Sequence, residues 1–339
     1  MINKIIHFSV HNKLVTGILL CIFMLWGIYS FTQLSIDALP DITNNQVQVV
    51  THSPNLATQE VEQFITYPLE TELKSLQGLI ELRSISRSGL SVINIVFKDN
   101  MPLNITRQLV AEKLKMAEEQ LSKAYGIPEM QPPTTGLGEI YQYVIIPKKG
   151  YENKYTPMDL RTIQDWIVKR QLLGTPGIVE VSSFGGKLKQ YEVSVIPERL
   201  AAMNLTLIDV FNALQKNNQN TGGSYIDKGP NVYFIRGEGI IEKLDDINNI
   251  VVKNINGIPI LIKDIGTVDY GFAPRFGAMT RNGNGETVGA VVLMQKGENA
   301  VKVIKQVKEK IATIEKSLPE GLTIDVFIDR TKLIDKANG

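Results

Sequence analysis

Apolar positions follow three rhythms along this chain. The first is unbroken. Residues 14–36 carry no charge, and the stretch from Gly17 to Tyr29 is almost wholly apolar. About 20 such residues form a helix long enough for the ~30 Å hydrocarbon core of a bilayer. The pattern predicts a transmembrane helix over 14–34, preceded by a cytoplasmic or interfacial segment, 1–13. Trp26, Tyr29 and Phe31 gather at one end, where amphipathic rings favour the membrane surface. Lys4 and Lys13 precede the span, whereas Asp37 and Asp41 follow it. The positive-inside rule then puts the N-terminus in the cytoplasm and everything after about residue 36 outside. A cleaved signal peptide is the competing reading, but Phe31-Thr-Gln-Leu34 is too bulky for a small-x-small cleavage site.

The second rhythm is helical. Val301, Ile304, Val307, Ile311, Ile314 and Leu318 step by three and four, with Asn299 placed to cap the start. Val110, Leu114, Ala117 and Leu121 do the same within a helix expected from about Asn104. The third rhythm alternates. Leu322, Ile324, Val326 and Ile328 share one strand face, as do Val47 and Val49. Ile93, Ile95 and Phe97 lie opposite Val92, Asn94 and Val96.

These elements repeat. Gly78-Leu-Ile-Glu-Leu-Arg-Ser84 aligns with Gly177-Ile-Val-Glu-Val-Ser-Ser183. A helical pattern precedes each: Val61, Phe64, Ile65, Leu69 and Leu73 in the first, Leu160, Ile163, Trp166 and Ile167 in the second. Pro68 should kink the first. Both units read β-α-β-β-α-β, the split ferredoxin-like arrangement. About 90 residues interrupt the second unit from Gly185-Gly186, too many for a loop, so they should be a domain of their own. Inside them lie a strand (Tyr191, Val193, Val195) and a helix opening at the capping box Thr206-Leu-Ile-Asp209, with Val210, Phe211 and Leu214 along it. Asn256-Gly257 signals a hairpin turn. The fold class is therefore α+β: one transmembrane helix, then two ferredoxin-like units, the second split by an α+β insert.

One segment of the insert stands apart. Residues 217–235 open with polar Asn217-Asn-Gln-Asn220 and the glycines Gly222 and Gly223. Tyr225 and Ile226 follow, then turn-prone Asp227-Lys-Gly-Pro230, then Val232, Tyr233, Phe234 and Ile235. This reads as a β-hairpin too long for its parent domain, and an isolated hairpin is marginal in water.

Composition narrows the function. The 339 residues are 43% hydrophobic and 21% charged, with net charge +1, so a folded chain is expected and nucleic acid is a poor partner. Cys21 is the single cysteine, which excludes an intrachain disulfide. No histidine follows His52, so a serine–histidine triad in the outer region has no base, and no Walker-type loop occurs. No cofactor is called for. The nine methionines are scattered and read as packing residues. His7 and His11 have a spacing that can hold a metal, but an interfacial amphipathic stretch explains them better. Asp37, Pro40 and Asp41 invite a metal-entry reading. The plainer one is a hydrated acidic collar whose proline ends the helix. Glu70, Glu81 and Glu139 read as structural.

Several local sequences resemble one family. Ile36-Asp-Ala-Leu-Pro-Asp41-Ile-Thr-Asn-Asn-Gln-Val-Gln-Val49 is similar to the segment after the first helix in heavy-metal efflux pumps of the RND (resistance–nodulation–division) superfamily, CzcA/CusA type. So are Tyr67-Pro-Leu-Glu70, Arg83-Ser-Ile-Ser86, Thr135-Gly-Leu-Gly-Glu-Ile-Tyr141, Leu160-Arg-Thr-Ile-Gln-Asp-Trp166, Gly223-Ser-Tyr-Ile226 and Asp329-Arg-Thr-Lys-Leu-Ile334. The resemblance implies a first porter subdomain at 40–134, a second at 135–183 plus 272–328, and a docking subdomain at 184–271. Residues 329–339 would then begin the connection to a second transmembrane helix. It implies an inner-membrane proton antiporter rather than an enzyme, exporting metal cations. Asp41-Ile-Thr-Asn-Asn45 points towards the zinc, cobalt and cadmium branch rather than copper and silver. It also implies a homotrimer working with a membrane fusion protein and an outer-membrane channel. The 217–235 hairpin, through Asn220, Gly222, Gly223, Tyr225, Ile226, Tyr233 and Phe234, would then reach into the neighbouring protomer. The proton relay and main metal site would lie in segments outside these residues. Two other classes stay open: an RND pump for organic compounds, and a membrane-anchored periplasmic binding or adaptor module.

Overall fold

The structure is a computed structural model that describes residues 9–33, 42–122, 125–255, 257–275 and 277–333. In chain order, α1 (Lys13–Gln33) leads to β1 (Gln46–His52), then α2, a helix over residues 58–73. Next come β2 (Leu79–Arg87), β3 (Leu90–Phe97), α3 (Leu103–Gln120), β4 (Pro128–Met130), β5 (Glu139–Pro147) and α4 over residues 157–172. They are followed by β6 (Ile178–Gly185), β7 (Lys189–Val195), α5 (Pro197–Ala202), α6 (Leu207–Lys216), β8 (Thr221–Lys228), β9 (Asn231–Gly237) and α7 (Leu244–Asn248). The last elements are β10 (Val251–Ile255), β11 (Ile258–Leu261), α8 (Ile262–Ile265), β12 (Gly266–Phe272), β13 (Met279–Thr280), β14 (Glu286–Met294), α9 (Ala300–Glu315) and β15 (Leu322–Asp329).

Among the described residues, α1 is the one helix long and apolar enough to cross a membrane. Its 21 residues rise about 31 Å. None of its apolar window, Lys13–Ser30, is buried by the rest of the chain.

The described residues fall into two compact units by their contacts: those within 1–148, 165–184 and 289–339 form one, and those within 149–164 and 185–288 the other. The first unit contains a four-stranded sheet in the order β2-β3-β1-β4. β1 is antiparallel to both β3 and β4, and β2 is antiparallel to β3. One face carries Val47, Val49, Ile93, Ile95 and Phe97, all buried against α2 and α3. Val110, Leu114 and Ala117 of α3 close this core as the spacing predicts. The opposite side of β3 is only partly covered.

The second large sheet runs β13-β14-β5-β15, with β6 also paired to β14. α9 packs on β5 and β15. It buries Val303, Ile304, Val307, Ile311 and Ile314, and the Asn299 side chain caps it by accepting from the Lys302 amide at 3.0 Å. β15 departs from simple alternation. A bulge between Val326 and Ile328 shifts its phase, so Leu322 and Ile324 are buried while Ile328 is exposed.

The second unit has a core of its own: Leu200, Leu205, Val210, Ala213, Ile247, Ile250, Ile260, Ile262 and Ile265. β7 and β12 pair antiparallel beside it, and β10 and β11 form a hairpin. Gly257 holds its turn at φ +85°; Asn256 lies outside the described residues. The Thr206 box forms, with Thr206 N–H donating to Asp209 Oδ2 at 2.8 Å and Asp209 N–H to Thr206 Oγ1 at 3.2 Å. Phe211, one of the apolar residues along this helix, is 66% exposed. Val210 and Ala213 take the inner face of a helix only ten residues long.

The helices before the repeat differ most from expectation. Neither is a plain α-helix. α2 runs as Thr58–Val61, a π-turn at Glu62–Thr66, then Tyr67–Leu73. α4 runs as Pro157–Ile163, a π-turn at Gln164–Val168, then Lys169–Leu172. Pro68 sits at the second residue after the wide turn, where its missing N–H is tolerated. The extra residue also rotates the aromatic groups outward. Phe64 is displaced from the core and stacks on Tyr125 at 5.3 Å, and Trp166 is 59% exposed, stacked under the Arg170 guanidinium at 3.9 Å.

Leu69→Ala should therefore lower stability by about 2–5 kcal/mol, and Phe64→Ala by much less. Denaturant unfolding of the detergent-solubilised chain checks the ranking; equal losses would contradict this account of α2.

Candidate functional site

The hairpin of β8 and β9 forms, and among the described residues it pairs with no other strand. Its register runs from Thr221 opposite Gly237 to Lys228 opposite Asn231. The turn is therefore the two residues Gly229-Pro230. Gly229 at φ +70° supplies the conformation that a tight hairpin demands at its first position. Between Gly222 and Tyr225 the register shifts by a bulge, which places the flexible pair Gly222 and Gly223 beside it.

Every residue of β8 is exposed. Tyr225 faces Phe234 across the strands, with ring centroids 6.5 Å apart, and Phe234 is 83% exposed. Ile226, Val232 and Tyr233 are exposed as well. A two-stranded ribbon with apolar side chains and no sheet behind it gains little by itself.

The base is tied down, unlike the tip. Asn220 Oδ1 accepts from the Gly239 amide at 2.9 Å, and Asn218 Oδ1 from the Ile241 amide at 3.2 Å. The asparagine-rich stretch that ends α6 thus serves as a clamp. Beside it lies a cleft of about 710 Å³, lined by Asn217, Asn220, Arg236, Glu238, Lys243 and Asp246 among others. The Asp246 carboxylate accepts from the amides of Glu242 and Lys243, each at 3.0 Å. Those two amides hold its pKa below the ordinary 3.8.

Of the other sequence candidates, Asp37, Pro40, Asp41 and His7 lie outside the described residues. His11 and His52 are exposed and far apart in sequence. Among the described residues no three His, Cys, Asp or Glu side chains gather into a potential metal site. Met101 and Met130 pack on the first core, Met203 packs on the core of the second unit, and Met294 is buried. Glu70 accepts from Ser84 Oγ, Glu81 pairs with Arg83 at 2.6 Å, and Glu139 accepts from Gln142 at 3.2 Å.

One set of contacts had no sequence signal. The linker between the two large sheets, around residues 131–138, is held by distant side chains within the first unit. Arg107 Nη1 donates to Gln131 O at 2.7 Å, and Thr134 Oγ1 donates to Met294 O at 2.9 Å. Arg330 donates to the Leu137 carbonyl. Lys296 Nζ reaches the carbonyls of Thr43 and Asn44, at 2.8 and 3.1 Å, on the strand entry that follows α1. Asp329 pairs with Lys308 at 2.6 Å. Burial alone would raise its pKa, but Lys308 and the Thr331 hydroxyl and amide outweigh it and hold it low.

The described residues hold one exposed apolar helix, two sheets with helices packed on them, and a long exposed hairpin in the second unit. Comparison with known proteins gives the family. The family model described as AcrB/AcrD/AcrF matches residues 5–338. The chain belongs to that family, the RND efflux pumps, and its relatives are heavy-metal cation efflux proteins.

The cation efflux system protein CzcA of Alcaligenes sp. (strain CT14) is 44% identical over 99% of this chain and 32% of its own length. The cobalt-zinc-cadmium resistance protein CzcA of Cupriavidus metallidurans is likewise 44% identical, with the same coverage. The cation efflux system protein CusA of Escherichia coli K12 is 38% identical over 99% of this chain and 32% of its own length. A crystal structure of a heavy metal efflux pump superposes with TM-score 0.83 at 32% identity, covering 98% of this chain and 32% of that one. The chain thus spans about a third of the length of these relatives.

The Asp246 carboxylate gives a pH test. A lowered folded pKa stabilises the fold above pH 3.8, and the gain is lost as pH falls through the lowered value. Thermal unfolding of the parent chain and of Asp246→Asn should differ by a constant amount near neutrality, and the gap should close below about pH 4. A gap independent of pH would refute the role of the two amides.

Proposed function

We propose that this chain is the N-terminal part of a proton-driven pump that exports heavy-metal cations across the cell envelope, with divalent zinc, cobalt or cadmium as cargo. The observation that carries the reading is the 44% identity, along 99% of the chain, to proteins named for cation efflux and for cobalt-zinc-cadmium resistance. The 38% identity to CusA ranks that relative behind them. Residues 40–134 and 135–183 with 272–328 are two porter subdomains of split βαββαβ form. The strand order β2-β3-β1-β4, and the pairing of β6 and β5 about β14 with β15 beyond β5, both support that form. Residues 184–271 are the docking subdomain, and the separate core of the second unit supports it. α1 anchors the chain in the inner membrane with its N-terminus inside. Asp37, Pro40 and Asp41 form the collar where it leaves the bilayer.

The β8–β9 hairpin is a subunit arm in a homotrimer that works with a membrane fusion protein and an outer-membrane channel. Its unpaired edges and exposed Tyr225, Ile226, Tyr233 and Phe234 favour burial in a partner.

Three measurements test this. The full-length gene, expressed in a metal-sensitive strain, should restore tolerance to zinc, cobalt or cadmium; tolerance to dyes alone would overturn the cargo. A reporter fused after Gly339 should be active only outside the cytoplasm. Cysteines at Tyr225 and on the facing docking subdomain of the full-length protein should cross-link between protomers, and cross-links confined to one chain would defeat the arm.

A further inference from the structure

The π-turns of α2 and α4 follow from one spacing. In α2 the buried positions Val61, Ile65, Leu69 and Leu73 recur at every fourth residue; in α4 Leu160, Gln164, Val168 and Leu172 do the same. An α-helix turns once per 3.6 residues, so each four-residue step overshoots by about 40° and the stripe drifts by about 120° in all. One wide turn, closing on the fifth residue back, recovers part of that drift.

A uniform stripe does not say which turn should be wide. The two helices choose differently. Shifting by 99 residues superposes Val61 on Leu160, Leu73 on Leu172 and Gly78 on Gly177. The wide turn of α2 then maps to 161–165, yet that of α4 lies at Gln164–Val168, three residues later.

Local groups fix the choice in α2. The Tyr67 amide bonds to Glu62 O, and Pro68 beyond it has no N–H to give. Thr66, the last residue of the turn, makes hydroxyl contacts with Val61 O at 3.3 Å, Ser86 Oγ at 2.9 Å and Ser91 Oγ at 2.8 Å. The same two places in α4 hold Arg170 and Val168, which have neither device. The boundary between the two compact units also falls inside this helix, between Gln164 and Asp165. Gln164 itself is fully buried where α2 has Ile65.

We propose that the wide turn of α4 moves along its helix, between 164–168 and 161–165, while that of α2 is locked. α4 is then a register switch. As the turn passes, the residues it crosses rotate by about one helical position. The contacts to be remade include the 2.6 Å Ser183–Asp165 hydrogen bond, the Arg161 Nη1 bond to Gly185 O at 2.9 Å and the Trp166–Arg170 stack. A shift of this kind repositions side chains without unfolding the helix, because each wide turn keeps the backbone hydrogen-bonded.

Hydrogen exchange read by mass spectrometry on the full chain in lipid nanodiscs tests this. Peptides across 161–168 should exchange about tenfold faster, or more, than peptides across 62–69. Arg170→Pro puts a proline where Pro68 stands relative to the turn, and it should slow exchange in 161–168 towards that of α2. Arg170→Ala removes the stack but keeps the N–H, and should not slow it. Three results would overturn the proposal. One is equal exchange of the two helices in the parent chain. Another is the same response to both substitutions. The third is loss of protection across Leu322–Asp329 in Arg170→Pro, meaning that α4 does not accept a proline after its wide turn.

Discussion

A sheet accepts a helix most readily along a nearly straight stripe, and that requirement shapes the first large sheet, where α2 packs on β2 and β3. α2 and α4 each present buried residues at every fourth position, a spacing that a regular α-helix carries around its axis. Keeping Val61 through Leu73 in the core costs one irregular turn, and the same holds for Leu160 through Leu172. The irregular turn in its passage sends Phe64 and Trp166 outward, and they find flat partners in Tyr125 and Arg170. Polar groups collect near it on the sheet side as well. Thr66, Ser86 and Ser91 form one hydroxyl cluster, and Asp165 with Ser183 a second contact. Their satisfaction within the protein keeps the desolvation cost small.

Beyond the sheets, the first unit depends on a few side chains, three of them long and charged, that hold carbonyls far away in sequence. Arg107, Thr134, Lys296 and Arg330 each donate to main-chain oxygens near the inter-sheet linker or the entry to β1. Charged donors on carbonyls are stronger than neutral ones. They connect the strand entry after α1, and the chain after β15, to the same folded unit.

The second unit shows a contrast between a packed body and an unsupported arm. Its core is compact and capped, while β8 and β9 project apolar rings into solvent. Nothing in the unit's own packing needs Phe234 outside. The clamp of Asn218 and Asn220 at the base makes the arm's origin definite even though its tip has no cover.

The sequence by itself determined the membrane-length helix, the α+β alternation, the caps at Thr206 and Asn299 and the hairpin of 217–235. All of these are local: charge-free length, periodicity, capping pairs and turn residues act within a few positions. It also carried the family resemblance, motif by motif. Tertiary structure alone decided which side chains lie inside where the period was irregular. Phe64, Trp166 and Phe211 are apolar and suitably spaced, yet they face outward, because a π-turn or a short helix lets another residue take the inner place. It alone placed buried Gln164 on a core stripe, put a bulge into β15 and brought Lys296 to Thr43. Those outcomes depend on groups 20 to 250 residues apart competing for the same space and the same hydrogen-bond partners, and no local rhythm encodes the result.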